Sequence, residues 1–416
     1  MSPFPHLSSI TILSRMNIGV DHISTLLLIA ATVAVRRLKV QSVLRYVFIT
    51  GVAFSSCTVD LSQPTAVPPP SQVATVPTAI SSTALPAGNS TTNTASAIPT
   101  TTVPVTWGNL NLSGKLIYTS ANFQGQSIFI DIRSLDLSTG DISTIFQTPD
   151  GGWIDAVTVS PDSQQLVLSY LPPGNVPYGN QKALYIMPLD GSAFPQLLFT
   201  PPSLEDNYSQ PEWSPDGGYV YFTHFKNQSA LFDMERMPYP NGTPQTLAYN
   251  ASWPRVSNDG QHVVYVWIDT GTGVNRLYLA NADGSDSHQI PLSGSLVPNV
   301  IDAPMFSADD QSILFSAPNV GQSSLPRVLL PLLHVIEVVA DGSIPSDWWS
   351  VPLAGGEPDQ LTNIQASSLF GSFSPDKKYI AVYSADGIFM MRPDGSELTS
   401  IIDDVGQISG TVSWIP

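Results

Sequence analysis

Trp213-Ser214-Pro215-Asp216-Gly217-Gly218-Tyr219-Val220-Tyr221-Phe222 sets a bulky residue, a tight-turn phrase and an apolar strand in succession. Pro at the second turn position pre-sets φ, Asp at the third bonds local backbone amides, and Gly at the fourth accepts a positive φ. The phrase recurs as Ser160-Pro161-Asp162-Ser163, Ser257-Asn258-Asp259-Gly260, Ser307-Ala308-Asp309-Asp310 and Ser374-Pro375-Asp376-Lys377. Each copy follows a bulky residue (Val159, Val256, Phe306, Phe373) and precedes an apolar run such as Val263-Val264-Tyr265-Val266. Recurrence of this kind marks an array built from one supersecondary unit.

Past the apolar run, a third strand ends in a hairpin pair: Asp190-Gly191, Asn241-Gly242, Asp283-Gly284, Gly355-Gly356 or Asp394-Gly395. Such pairs favour tight turns. A short outer strand follows, as in Gln196-Leu197-Leu198-Phe199. Four short strands per repeat is the pattern of a propeller blade. The two ends complete the count. Gly114-Lys115-Leu116-Ile117-Tyr118 matches the second strand of a repeat and has no first strand ahead of it, while Val412-Ser413-Trp414-Ile415-Pro416 matches a first strand and has no second behind it. The expected fold is an all-β, six-bladed propeller over residues 107–416. Its blades are four-stranded, and its ring closes by pairing of Val412–Pro416 with the first blade.

The bulky–Ser–Pro–Asp–Gly phrase, the apolar strand and the Asp-Gly hairpin together resemble the TolB-like, WD-repeat-like six-bladed propellers. The resemblance covers residues 114–416 and is clearest at Trp213–Gly217 and from Phe373 through Gly395. It implies an architecture and no single activity, because such propellers include scaffolds, binding domains and peptidase caps. TolB itself carries an α/β domain ahead of its propeller, whereas here that place is taken by a Ser/Thr/Pro stretch.

That stretch belongs to an unusual front end. Arg36, Arg37, Lys39 and Arg45 precede the apolar run Tyr46–Phe54, and Ser55-Ser56-Cys57 follow it. A basic stretch, a short apolar core and small residues read as an export signal over residues 1–56, with residues 1–35 an over-extended start. Cys57 is the sole cysteine, so neither an internal disulfide nor a Cys-based zinc site is available. Its setting resembles a bacterial lipobox, which implies lipidation at Cys57, with Phe54 standing where Leu is usual. Residues 58–106 hold 18 Ser or Thr and 8 Pro, and no Lys or Arg. This composition reads as a tether with a reach of about 40 Å. The expected location is extracytoplasmic, on the bacterial cell surface or the periplasmic side, with the lipid as the membrane contact.

After Cys57 the chain carries 32 acidic residues (33 less Asp21) against 11 basic ones (16 less five). That balance argues against nucleic acid as a partner.

The sequence carries few marks of chemistry. No Gly-x-Ser-x-Gly elbow occurs. The histidines lack metal-ligand spacing, and His224 and His262 read as satisfied structural residues. Asp283-Gly284-Ser285-Asp286 lacks the further ligands of a calcium loop. The turn aspartates recur in every repeat and read as staples. No metal and no cofactor is expected.

Two places remain. One is the mouth of the central channel, where Trp153, Asp155, Tyr208, Trp253 and Asp302 are expected in the approaching loops and Glu212 and Arg255 on the inner strands. They form either a ligand site or, for Glu212 and Arg255, a simple pair between neighbouring blades. The other is the long stretch Gly321–Pro345, whose Leu329, Leu332 and Val335 either pack on their own blade or form a partner patch. The functional expectation is a monomeric, non-enzymatic envelope lipoprotein that binds a protein, peptide or glycan. The alternative is a lyase or hydrolase with Asp155, Glu212 or Asp302 as acid or base.

Overall fold

The computed structural model describes residues 100–174, 181–203, 205–294, 300–318 and 344–416. They form six antiparallel sheets. Blade 2 consists of Trp153–Val159, Gln165–Leu171, Ala183–Pro188 and Gln196–Leu197, from the innermost strand outward. Blade 3 follows with Asn207–Trp213, Tyr219–Lys226, Leu231–Pro238 and Gln245–Tyr249, and blade 4 with Ala251–Val256, His262–Ile268, Asn275–Asn281 and His288–Gln289. Blade 5 comprises Asp302–Phe306, Ser312–Ala317, Asp347–Pro352 and Asp359–Gln360. Blade 6 comprises Phe370–Phe373, Ile380–Ser384, Gly387–Met391 and Thr399–Ile402.

Blade 1 is assembled from both ends of this region. Lys115–Gln124, Ser127–Asp136 and Asp141–Gln147 are joined on the inside by Val412–Ile415. The register runs from Lys115 opposite Ile415 to Tyr118 opposite Val412. Thr411 carries the closure to blade 2, its hydroxyl accepting from the Val157 amide at 2.7 Å and donating to the Val157 carbonyl at 2.8 Å. The Trp414 indole donates to the Ser113 carbonyl at 2.9 Å. Blade 1 also has a fifth, outermost strand, Thr101–Thr102, which lies ahead of residue 107 and pairs with Asp141–Ile142.

The turn phrase folds as its residues dictate. In all five copies the Ser hydroxyl donates to the Asp carboxylate two residues on, at 2.6–2.8 Å. The fourth position takes a positive φ every time: 56° at Ser163, 70° at Gly217, 72° at Gly260, 55° at Asp310 and 61° at Lys377. The Ser hydroxyl also accepts the amide five residues on, as from Tyr219 at 2.8 Å, which starts the second strand.

Six buried clusters lie one at each junction between neighbouring blades. Leu166 and Leu168 point into the junction with blade 1, and Val167 between them points into the junction with blade 3. Leu116 and Tyr118 meet Ala381 and Tyr383 of blade 6, the junction that joins last blade to first. Strands buried on both faces read as continuous apolar runs for this reason. The hairpin glycines set the spacing at one end of the junctions. A Cβ on Gly395 would stand 2.1 Å from the Leu361 carbonyl oxygen of blade 5, and one on Gly191 2.5 Å from the Ile145 carbonyl oxygen of blade 1. Among the described residues, no helix is long and apolar enough to cross a membrane.

Candidate functional site

The innermost strands do not pair evenly. In blade 3 Glu212 faces Tyr221 but Ser209 faces Thr223, so Gln210 and Pro211 together oppose one residue. Blade 4 does the same at Trp253-Pro254 and blade 5 at Ala303-Pro304, while blade 2 slips by one residue at Asp155. These are β-bulges, which re-aim side chains and recur beside binding sites. In the three X-Pro bulges the residue before Pro is left-handed: φ is 52° at Gln210, 56° at Trp253 and 45° at Ala303. For a ring as large as Trp this conformation costs on the order of 1–3 kcal/mol. Trp253 is held there by its amide, which donates to Gln210 Oε1 at 3.0 Å and Thr223 Oγ1 at 3.2 Å, both on blade 3.

The bulges surround a cavity at the end of the channel where the innermost strands begin. Asp155, Glu212, Trp253, Arg255 and Asp302 all line it. A second cavity opens at the turn-phrase end, and Glu212, Arg255 and Phe370 line both. Arg255 forms the partition between them. Its guanidinium lies 4.6 Å over the Phe370 ring, donates to the Gly371 carbonyl at 2.9 Å and stands 3.6 Å from Glu212 Oε2. Blades 3, 4 and 6 are thereby tied across the axis. Burial raises the Glu212 carboxyl above its ordinary range, against the opposing pull of Arg255 and Lys377.

Asp155 is half engaged. Its Oδ2 accepts from Lys182 Nζ at 2.6 Å. Its buried Oδ1 has no hydrogen-bond partner among the described residues. The Trp253 ring sits 6.5 Å from Phe370, tilted by 37°. Small hydroxyl side chains such as Ser209 and Ser316 fill part of the remaining wall. An aromatic wall, an unsatisfied buried acceptor and hydroxyls able both to donate and to accept make a surface suited to holding a ligand. Among the described residues, no three His, Cys, Asp or Glu side chains converge as a metal ion would require.

Of the seven mouth residues expected from sequence, five come together. The other two do not. Trp153 packs, half-buried, against the core between blades 1 and 2. Tyr208 is buried and stacks on His224, ring centroids 4.4 Å apart. Trp153, Asp155, Tyr208, Trp253 and Asp302 lie on the innermost strands and not in loops, because pairing resumes beyond each bulge. His224 is satisfied on both ring nitrogens, by Glu235 and Asp206. Cys57, Leu329, Leu332 and Val335 lie outside the described residues. Of the residues flanking the last three, Ile344 and Ser346 line the cavity.

Sequence reasoning passed over Gln210, Pro211, Pro254 and Phe370. A signal for three of the bulges was present, since Pro211, Pro254 and Pro304 each stand three residues before the turn serine. Proline inside a strand is confined to edges and bulges.

No protein-family model matches the sequence. No curated protein matches it. Solved structures do. TolB from Acinetobacter baumannii superposes with a TM-score of 0.50 at 17% identity, over 72% of this chain and 66% of that one. A chain of the nidogen–laminin complex gives 0.50 at 8% identity, over 72% of this chain and 98% of its own. A candidate TolB from Agrobacterium tumefaciens gives 0.49 at 18% identity, over 72% and 99%. At such identities the likeness is one of fold: the chain is a six-bladed β-propeller with TolB proteins among its structural neighbours.

Proposed function

We propose that this chain is an exported lipoprotein whose propeller binds an extended segment of an envelope protein at the channel mouth, without catalysis. The observation that carries the reading is Trp253, a large ring held in a costly left-handed conformation on the wall of the cavity. Strain of this kind persists where the surrounding structure enforces it, and it concentrates at ligand clamps. Asp155 Oδ1 supplies a buried acceptor for a peptide N–H or ammonium, and the wall hydroxyls match the alternating donors and acceptors of a peptide backbone.

The two carboxylates best placed for acid–base work are tied to bases, Asp155 to Lys182 and Glu212 to Arg255. This supports binding over the lyase or hydrolase reading. The basic run, apolar core and lone Cys57 support export and lipid anchoring. Mass spectrometry of the membrane-extracted protein tests that part, and an unmodified Cys57 thiol would remove it.

Peptide display on the immobilised full-length protein tests the site. Peptides enriched on the wild type are expected to lose roughly thirtyfold or more in affinity on Trp253→Ala, the scale of an aromatic hot spot. Binding unchanged by Trp253→Ala and by Asp155→Asn would place the peptide elsewhere and overturn the assignment.

A further inference from the structure

Blade 3 buries a histidine between two carboxylates. His224 Nδ1 lies 2.9 Å from Glu235 Oε1, and Nε2 lies 3.1 Å from Asp206 Oδ2. The residue is 5% exposed. A neutral imidazole has one N–H and one lone pair. Between two carboxylates it must turn that lone pair toward one of them, and only the imidazolium donates to both. Burial works against the charge, yet Glu235 and Asp206 outweigh it and hold the ring above the ordinary histidine value of 6.5.

The surroundings come from every strand of the blade. Tyr208 on the innermost strand stacks on the ring. Burial, Glu235 and Asp206 keep its phenol well above the usual range and therefore neutral. Lys226, on the same strand as His224, is bonded to Asp233 of the third strand and lies 6.0 Å from the Tyr249 ring. Thr246 on the outer strand donates to Glu235 Oε1 at 3.2 Å. With Lys226 bonded to Asp233, His224 is the cation bonded to both Asp206 and Glu235.

Asp206 matters because of where it sits. It closes the connection from blade 2 and stands one residue before the strand that carries Ser209, Gln210 and Glu212 into the cavity wall. Its Oδ1 accepts the Asn227 amide at 3.1 Å, so it also pins the next hairpin.

We propose that His224 is a pH-operated clamp: its imidazolium pins Asp206, and with it the connection feeding the cavity wall of blade 3, and its deprotonation lets that connection go. The folded pKa is raised, so the clamp contributes fully below the unfolded value and fades as pH rises through the folded one. The device stands whether or not the cavity takes a peptide.

Amide hydrogen exchange on the full-length protein tests it, between about pH 6 and about pH 9, with rates normalised to the intrinsic exchange rate. The readout is the Asn227 amide, whose acceptor is Asp206. Its protection is expected to fall roughly tenfold in step with the His224 titration, followed independently by imidazole nitrogen shifts. His224→Gln should abolish the step. In Asp206→Asn the carboxamide can itself donate to the neutral ring, so the tie survives deprotonation and protection should become independent of pH. Should His224→Gln fail to fold, the wild type and Asp206→Asn decide. Flat protection across the wild-type His224 titration, a step that persists in His224→Gln, or a step unaltered in Asp206→Asn overturns the proposal.

Discussion

Asp310 caps Asn258 across the turn-phrase face. Its Oδ1 accepts the Asn258 backbone amide at 3.0 Å and the side-chain amide at 2.6 Å, and its Oδ2 accepts the Asp259 amide at 3.2 Å. Both residues depart from the repeated phrase. Asn258 stands where three copies have Pro, which has no N–H to give, and Asp310 stands where two copies have Gly. Lys377, a third departure, donates to Asn258 Oδ1 at 2.7 Å. The deviations form one network linking blades 4, 5 and 6. Asn258→Pro and Asp310→Gly are each expected to cost about 1 kcal/mol. Together they should cost less than the sum of the two, because both remove the bonds between Asn258 and Asp310. Denaturant midpoints of the two single variants and the double variant measure this, and strict additivity would disprove the coupling.

Ring closure gives a second test. Trp414 is 8% exposed and sits in the cluster shared by blades 6 and 1. Trp414→Ala should cost about 3 kcal/mol or more. Ser413→Ala, next to it and half-buried, should stay within about 0.5 kcal/mol. Thermal melts of the two variants compare them directly.

Trp253 reverses an ordinary preference. In a regular strand Ala is better than Gly. At φ 56° the order should invert, with Trp253→Gly more stable than Trp253→Ala by about 1 kcal/mol. Both should lose peptide binding alike. Equal stabilities would show that the conformation relaxes when the ring is removed.

Acid should loosen the turns before the core. The carboxyls of Asp162, Asp216, Asp259, Asp309 and Asp376 lie below their ordinary value of 3.8, held first by the serine hydroxyl and then by further bonds, most of them backbone amides. A depressed folded pKa gives stability that is present above the unfolded value and lost as pH falls through the folded one. The melting temperature should therefore drop below about pH 4. Ser214→Ala should lower it at neutral pH and make the acid loss shallower, and an unchanged acid profile would refute the assignment.

The architecture was legible because it rests on local chemistry. Pro161, Asp216 and Gly260 specify a turn whatever surrounds them, and Leu116 and Trp414 betray the closure by each lacking the partner the other supplies. The mouth was only partly legible, for a geometric reason. A strand alternates its faces with a period of two, and one bulge inverts that alternation. Tyr208 lies before the bulge of blade 3 and Glu212 after it, so a count along the strand cannot place both. Trp153 failed for the same reason, the slip at Asp155 falling between it and the rest of its strand. His224 is legible as a satisfied structural residue, but its two acidic partners lie 18 and 11 residues away and meet only in the folded blade.

The hairpin glycines give the molecule a fixed gauge at its turn-phrase end. Where Gly395 and Gly191 touch the neighbouring blade, there is no room for a single added carbon. At the opposite end the hairpins between second and third strands differ: a Cβ on Gly125 in blade 1 would meet nothing within 4 Å, whereas one on Gly387 in blade 6 would stand 2.1 Å from the Ile402 carbonyl oxygen. Substitutions are thus filtered hard wherever a glycine meets a neighbouring strand, as at Gly395, Gly191 and Gly387, and least at an open hairpin such as that of Gly125. Such a ring holds its dimensions through contacts that a single added carbon would break, and where a hairpin swings clear of its neighbours, as at Gly125, the chain can change in sequence without moving a blade.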